Sequence, residues 1–361
     1  MHRLLSNLLI LIGIVLVAGC SGENTSLENP QDSEDSAESV TVQGGTESQI
    51  TGPVVVYSSR QEHLIKPLFD RFTAETGIEV QYQTGEDGPL IARLQAEGEQ
   101  TFADILYTVD AGNLWSAAEK GLLAPVDSSM LEENIPSHLQ DPQNRWFGLS
   151  VRARTIAYST ERVDPAQLST YEALATPLWK DRLCLRTSRK VYNMSLVATM
   201  IERLGKDETQ RVVEGWVNNL ATRVFSSDLL LLEAIAAGQC DVGIVNTYYL
   251  GQLQSREPDV PVALHWANQN SNGVHVNISG AGVTTYANNR AGAIRLIEWL
   301  STREPQYLFS ELNLEYPANP DISPVDLVAS WGTPAQDTLN VEAAGRLQSE
   351  AVMLMDRANY R

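Results

Sequence analysis

Apolar positions recur along this chain with two alternating periods. Pro53–Tyr57 is a β-branched run, and Glu62–Thr76 places Leu64, Ile65, Leu68, Phe69 and Phe72 on one helical face before Gly77. Ile78–Gln83 then alternates, with Ile78, Val80 and Tyr82 on one side of a strand. The spacing predicts a helix over Leu90–Gly98, a buried strand over Phe102–Tyr107 and a helix over Ala111–Gly121. Extended segments follow at Trp146–Leu149 and Thr155–Tyr158, then a short strand at Arg182–Leu185. Helices are expected at Met194–Leu204, at Leu229–Ala237 (entered through Ser226-Ser227-Asp228 and stopped at Gly238) and at Arg290–Leu300, with a strand at Asp241–Val245. Strands alternating with helices of this length imply a doubly wound α/β sheet, and the pattern occurs twice. No fixed period recurs, which excludes a solenoid.

The first twenty residues follow different rules. His2 and Arg3 precede an apolar run from Leu8 to Val17, and small residues lead into Cys20. The run is shorter than the roughly 20 residues a spanning helix needs, so it reads as an export signal. Val-Ala-Gly-Cys resembles the bacterial lipobox, in which the cysteine thiol takes a diacylglycerol. Several acyl chains, at about 0.8 kcal/mol per buried methylene, hold a protein on a membrane where one chain would let it leave. From Ser21 to Ile50 there are seven Asp or Glu and no Lys or Arg. Such a stretch buries too little apolar surface to offset its ordering entropy, and it reads as a disordered tether.

The 361 residues otherwise suffice for two domains of ordinary size. A net charge of -19 leaves no basic stripe for phosphates, which excludes nucleic acid as a partner. With Cys20 committed to lipid, Cys184 and Cys240 remain at the edges of expected strands. In an exported chain a disulfide is the expected use, two buried thiols being the alternative. Neither cysteine has a second cysteine or histidine at zinc-finger spacing.

Open α/β sheets bind ligands at the C-terminal ends of their strands. Those ends carry Ser58-Ser59-Arg60, Asp110 and Asn246-Thr247-Tyr248-Tyr249. Neighbours on a strand face opposite ways, so Tyr248 and Tyr249 serve one site only where the chain leaves the strand. Tyr192 precedes the helix at Met194, another element terminus. Ionising a phenol at pH 7 costs about 4 kcal/mol, and three cost about 12, which only a strong Lewis acid recovers. Hardness favours trivalent iron over calcium or magnesium. The same tyrosines would also suit stacking or hydrogen bonding to an organic solute.

The runs VYSSRQEHLIKPLFDRFTAETGI, ADILYTVDAGNLW, RLCLRTSRKVYNMSLVATMI, AAGQCDVGIVNTYYLGQL and HVNISGAGV resemble the ferric-iron-binding proteins of bacterial ABC importers, from about Pro53 to Pro320. The resemblance implies Fe(III) as cargo, an ABC permease as partner, and Tyr192, Tyr248 and Tyr249 as metal ligands. It departs at Gln61 and Glu62, where some members carry histidine or tyrosine. That leaves Glu62, His63 or an exogenous anion such as carbonate to complete the coordination. Arg60 and Arg152 match positions that resemble anion-binding arginines, whose planar guanidinium suits carbonate.

These readings give a two-lobe periplasmic-binding-protein fold, with a hinge and an interlobe cleft. Residues 1–20 are the lipoprotein signal, 21–52 the tether, 53–150 the first part of lobe one, 151–281 lobe two, and 282–361 a return to lobe one with a C-terminal helical segment. Crossings are expected near Ser150–Ile156 and Ser279–Val283. The protein is expected to be exported, monomeric and in touch with a membrane only through its lipid. A binder of a polyamine, phosphonate or sugar is the alternative on the same fold. A secreted enzyme is less favoured, since no Walker loop, Gly-x-Ser-x-Gly elbow or His-Glu-x-x-His motif occurs. Replacing Cys20 by alanine is expected to move the protein from washed membranes to the soluble fraction; retention in the membrane pellet would refute the lipid anchor.

Overall fold

The computed structural model describes residues 52–361. The leader, Cys20 and all but the last residue of the acidic stretch lie outside the described residues. The chain opens as β1 (Val54–Ser58), α1 (Glu62–Thr76), β2 (Val80–Thr84), α2 (Asp87–Glu97), β3 (Ile105–Thr108) and α3 (Ala111–Glu119). Helix α1 buries Ile65, Leu68, Phe69 and Phe72 at helical spacing. It ends because Gly77 takes a left-handed conformation, φ 74°, and its N–H reaches the Thr73 carbonyl at 2.9 Å. Helix α2 starts three residues earlier than its apolar spacing predicts. Pro89 is tolerated in a first turn, and Asp87 is favoured there by the helix dipole.

After a short helix α4 (Ser129–Asn134), the two extended segments expected around residues 146 and 155 are one strand, β4 (Phe147–Ser159). Its interior holds Arg152 and Arg154, both buried, and these interrupt the apolar run that would have marked it. Next come β5 (Leu183–Cys184), α5 (Val191–Leu204), α6 (Lys206–Asn218), α7 (Asp228–Ala236), β6 (Val242–Asn246), α8 (Thr247–Arg256), β7 (Val262–His265) and β8 (Val276–Val283). The chain closes with α9 (Arg290–Leu300), α10 (Arg303–Asn313), β9 (Tyr316–Pro317), α11 (Asp326–Ser330), α12 (Ala343–Arg346) and α13 (Gln348–Arg357).

The strand order β2-β1-β3-β8-β4-β6-β5 contains two parallel sets joined by antiparallel strands. β1 is parallel to β2 and β3, whereas β8 runs antiparallel to β3. β4 pairs with β8 from Phe147↔Ala281 to Ala153↔Val276, then with β6 from Arg154↔Asn246 to Tyr158↔Val242. One strand therefore serves both α/β lobes, changing partners between Ala153 and Arg154. This is the two-lobe periplasmic-binding-protein fold. Val54, Val56, Phe69, Phe72, Ile105 and Leu296 belong to a core on the first side; Leu231, Ile235, Val245 and Leu253 belong to one on the second.

Two local expectations are corrected, and the sheet is mixed, β8 running antiparallel to β3 and to β4. Phe102 is 70 % exposed, because β3 begins only at Ile105 and the residue lies in the approach to it. The C-terminal segment does not simply return to lobe one: α12 packs on α3 and α5, and α13 on α5 and α6.

Cys184 and Cys240 are joined, with Cα atoms 5.9 Å apart. The bond ties edge strand β5 to the turn before β6, inside the second core. Closing a loop of separation 56 stabilises by about 4 kcal/mol in the chain-entropy model. The variant with both cysteines changed to alanine is expected to lose about that much in urea unfolding, and thiol alkylation of the non-reduced mature protein is expected to find no free Cys184 or Cys240.

Candidate metal centre

The site is organised from a buried arginine. Arg154 Nε donates to Asn193 Oδ1 at 2.9 Å, Nη1 donates to Asp228 Oδ2 at 2.9 Å and to Asn246 Oδ1 at 3.1 Å, and Nη2 donates to the Ile244 carbonyl at 3.0 Å. These four groups belong to the N-termini of α5 and α7 and to the end of β6. Asp228 also accepts from the Asn246 amide at 3.1 Å. A five-donor planar fork can hold three element ends in fixed register, which a lysine point charge cannot.

Tyr192 is the second residue of α5; Tyr248 and Tyr249 are the second and third of α8. The sequence argument required the pair to lie where the chain leaves β6. It does so by entering a helix at once, where successive residues are turned by about 100° rather than reversed. The two rings are 4.4 Å apart and inclined at 38°. Asn246 Nδ2 donates to the Tyr248 phenol at 3.2 Å. Asn193, next to Tyr192, donates to the carbonyls of Arg186 and Thr187, both at 3.0 Å, and so fixes the entry to α5.

Two guanidinium groups face the tyrosines. Arg152 is centred 5.0 Å from the Tyr192 ring, donates to the Val109 carbonyl and lies 3.6 Å from Asp110. Arg186 sits 5.5 Å from the Tyr192 ring and 5.7 Å from that of Tyr249, and its Nη1 donates to the Tyr249 phenol at 3.4 Å. Burial holds the Tyr192 and Tyr248 phenols above the ordinary range; Arg152 opposes that rise at both. For Tyr248 the neighbouring tyrosines add to it. The Tyr192 and Tyr248 phenols are therefore held in the protonated form. Burial likewise pushes Asp110 up to about 6 against the pull of Arg152, and Asp110 accepts from Ser195 Oγ at 2.9 Å and Asn277 Nδ2 at 2.8 Å.

Among the described residues there is no cluster of three His, Cys, Asp or Glu able to hold a metal. The phenols of Tyr192, Tyr248 and Tyr249 are hard oxygen donors, a type that suits a highly charged ion.

The structure brings Tyr192, Tyr248, Tyr249 and Arg152 together and gives Arg60 and Glu62 other partners. Arg60 is corrected as an anion-binding residue. Its Nη2 donates to Glu315 at 3.0 Å, its Nη1 to Ser150 Oγ at 3.4 Å, and it lies between the Tyr107 and Phe309 rings. Its anion is a side chain from 255 residues along the chain, which local sequence cannot reveal. Glu62 is exposed and accepts from the Tyr82 phenol at 2.9 Å, and His63 is exposed on the same helix. Neither has a polar contact with the trio among the described residues. Arg186 and Arg154 were missed. Arg186 follows β5 at a strand's C-terminal end, so the rule that singled out Arg60 would have found it.

The chain belongs to the bacterial extracellular solute-binding protein family, whose model matches residues 57–307. It is 42 % identical over 315 residues to iron uptake protein A2 of Synechocystis sp., covering 85 % of this chain and 89 % of that one. To iron uptake protein A1 of the same organism it is 38 % identical over 312 residues, with 85 % and 87 % covered. A solved structure of the Trichodesmium protein IdiA (FutA), in complex with iron and citrate ligands, superposes with a TM-score of 0.83. It is 40 % identical and covers 86 % of this chain and 100 % of its own. A ferric iron-binding protein A of Mannheimia haemolytica in an open conformation superposes at 0.80, with 36 % identity and coverage of 86 % and 99 %.

Asp228 is fully buried with Arg154 as its partner. Changing Asp228 to alanine leaves that charge uncompensated and is expected to cost about 3–5 kcal/mol in denaturant unfolding. A loss below about 1 kcal/mol would show that the site is organised by something else.

Proposed function

We propose that this chain is the solute-binding component of an ABC importer, that it captures Fe(III) through Tyr192, Tyr248 and Tyr249 and that it delivers the ion to the permease. The carrying observation is the convergence of three phenols from the first turns of α5 and α8, beside two guanidinium groups and without a carboxylate–histidine cluster among the described residues. An ion that merely tolerates oxygen donors cannot recover about 12 kcal/mol of phenol ionisation; a hard trivalent cation can. The iron-uptake relatives and the iron-and-citrate complex of the Trichodesmium protein support the same cargo.

Three phenolates neutralise the ion and leave coordination positions open. A small oxyanion such as carbonate or citrate on Arg152, or a carboxylate of the chain itself, fills them. Arg152 takes this part in place of Arg60, whose guanidinium is engaged by Glu315. The lipid on Cys20 and the acidic tether keep the body near a permease in the same membrane while leaving its cleft free to close. A monomer meets these requirements. A polyamine cargo has less support, since two guanidinium groups face the site.

Wild-type protein loaded with ferric iron is expected to be coloured through tyrosinate-to-iron charge transfer. Tyr248→Phe, Tyr249→Phe and Tyr192→Phe should each keep the fold and shift or abolish the visible band. Because the Tyr192 and Tyr248 phenols are protonated before binding, coordination by these two releases about two protons per ion. Affinity should therefore rise with pH and fall steadily as pH drops below neutral, checked by chelator competition across pH. A folded Tyr248→Phe, Tyr249→Phe double variant with unchanged affinity and spectrum would end the tyrosinate reading.

A further inference from the structure

Arg186 is fixed at both its backbone and its side chain. Its carbonyl accepts from Asn193 Nδ2 at 3.0 Å and from the Tyr360 phenol at 2.6 Å, and its Nε donates to the Ser226 carbonyl at 3.2 Å. Only 6 % of the residue is exposed. A planar guanidinium held in this way has its direction set before any ligand arrives.

The charges around it do not balance. Asp228 Oδ2 lies 2.9 Å from Arg154 Nη1 and 3.6 Å from Arg186 Nη1, and neither arginine has a second carboxylate within ion-pair distance among the described residues. One buried carboxylate thus answers two buried guanidinium groups. That leaves a positive charge out of water without a full counter-ion, an arrangement that is costly until an anion joins it. The group that Arg186 Nη1 does reach is the Tyr249 phenol, at 3.4 Å. The three phenols differ in this respect. Tyr248 accepts from the neutral Asn246 amide, and Tyr192 meets Arg152 and Arg186 through its ring. Among the described residues, only Tyr249 has a guanidinium N–H on its oxygen.

We propose that Arg186 is a positioning residue for iron binding: it fixes the Tyr249 oxygen before the ion arrives and stays bonded to it as counter-ion of the phenolate once Tyr249 is a ligand. The inference rests on the tyrosinate reading. A hydrogen bond to a charged acceptor is shorter and stronger than its neutral counterpart, so the contact tightens on loading. The same bond draws electron density from one of the three donors. It lowers the filled phenolate orbital, and more energy is then needed to move an electron from that orbital to iron. Arg186 therefore acts on both the affinity and the colour of the loaded protein.

The test compares wild type, Arg186→Gln and Arg186→Lys, each alone and combined with Tyr249→Phe. Each mature protein is loaded with one equivalent of Fe(III), or of the colourless trivalent ion Ga(III), and challenged with a chelator. Arg186→Gln is expected to hold both ions about 10–100-fold more weakly and to move the visible band to longer wavelength. Arg186→Lys, which keeps the charge, is expected to return the band most of the way to its wild-type position. In the Tyr249→Phe background, Arg186→Gln should add little to either effect. Should Arg186→Gln fail to fold, Arg186→Lys carries the same cycle, with a smaller shift of the same sign that is absent without the Tyr249 oxygen; lack of that coupling then overturns the proposal. A folded Arg186→Gln protein with wild-type band and affinities overturns it as well. So does a shift that is equal for Gln and Lys, or one that persists with Tyr249→Phe, since either marks a merely structural role. In each of these cases a visible band in wild type leaves the tyrosinate reading standing. If wild type forms no band, that reading fails, and the role of Arg186 fails with it.

Discussion

The pairing of Arg154 with Asp228 inside the second lobe is the interaction on which the rest depends. Two opposite charges removed from water at that depth are stable only because every donor on the guanidinium side has a partner: Asp228, Asn193, Asn246 and a backbone carbonyl. Arg154 lies on β4, the strand shared by both lobes, at the residue where pairing passes from β8 to β6. The same side chain therefore sits at the hinge and fixes the element ends that carry the tyrosines. Tyr171 reinforces it from behind, its phenol donating to the Arg154 carbonyl and accepting from the His275 amide at 3.1 Å.

From that anchoring follows an arrangement with opposing tendencies. Burial and mutual proximity hold phenols in the protonated form. The first turns of α5 and α8, with Arg152 and Arg186, bias the same place toward negative charge. Alone, the positive groups do not ionise Tyr192 or Tyr248. On the proposed reading a trivalent cation supplies what they lack, and proton concentration then enters directly into capture and release.

The two lobes are coupled by more than the shared strands. Asp110 caps α3 in lobe one while accepting from Ser195 on α5 in lobe two. α12 lies against both of those helices. Asp110 in turn lies 3.6 Å from Arg152. The disulfide stiffens the far side of lobe two, where β5 has only two residues to hold it to the sheet.

Much of this was legible in the sequence, because burying apolar side chains in a regular backbone imposes a period that a sequence displays. α1, β2, α3, α5, α7, β6 and α9 all declared themselves in that way, and their C-terminal strand ends pointed to the tyrosines. Where burial is polar, the period vanishes. β4 read as two fragments because Arg152 and Arg154 occupy its interior, and the partners that make them tolerable come from residues 39 to 127 positions away. Arg60 shows the same limit from the other side: its residue type and position suited an anion, but Glu315, brought back by the last third of the chain, had already answered its charge. Residue type and local spacing determined most of the elements and drew attention to the tyrosines, and the family resemblance pointed to the kind of cargo. Which charged groups remain free to meet that cargo was decided only by tertiary structure, since electrostatic pairing depends on distance in space and leaves no period along the chain.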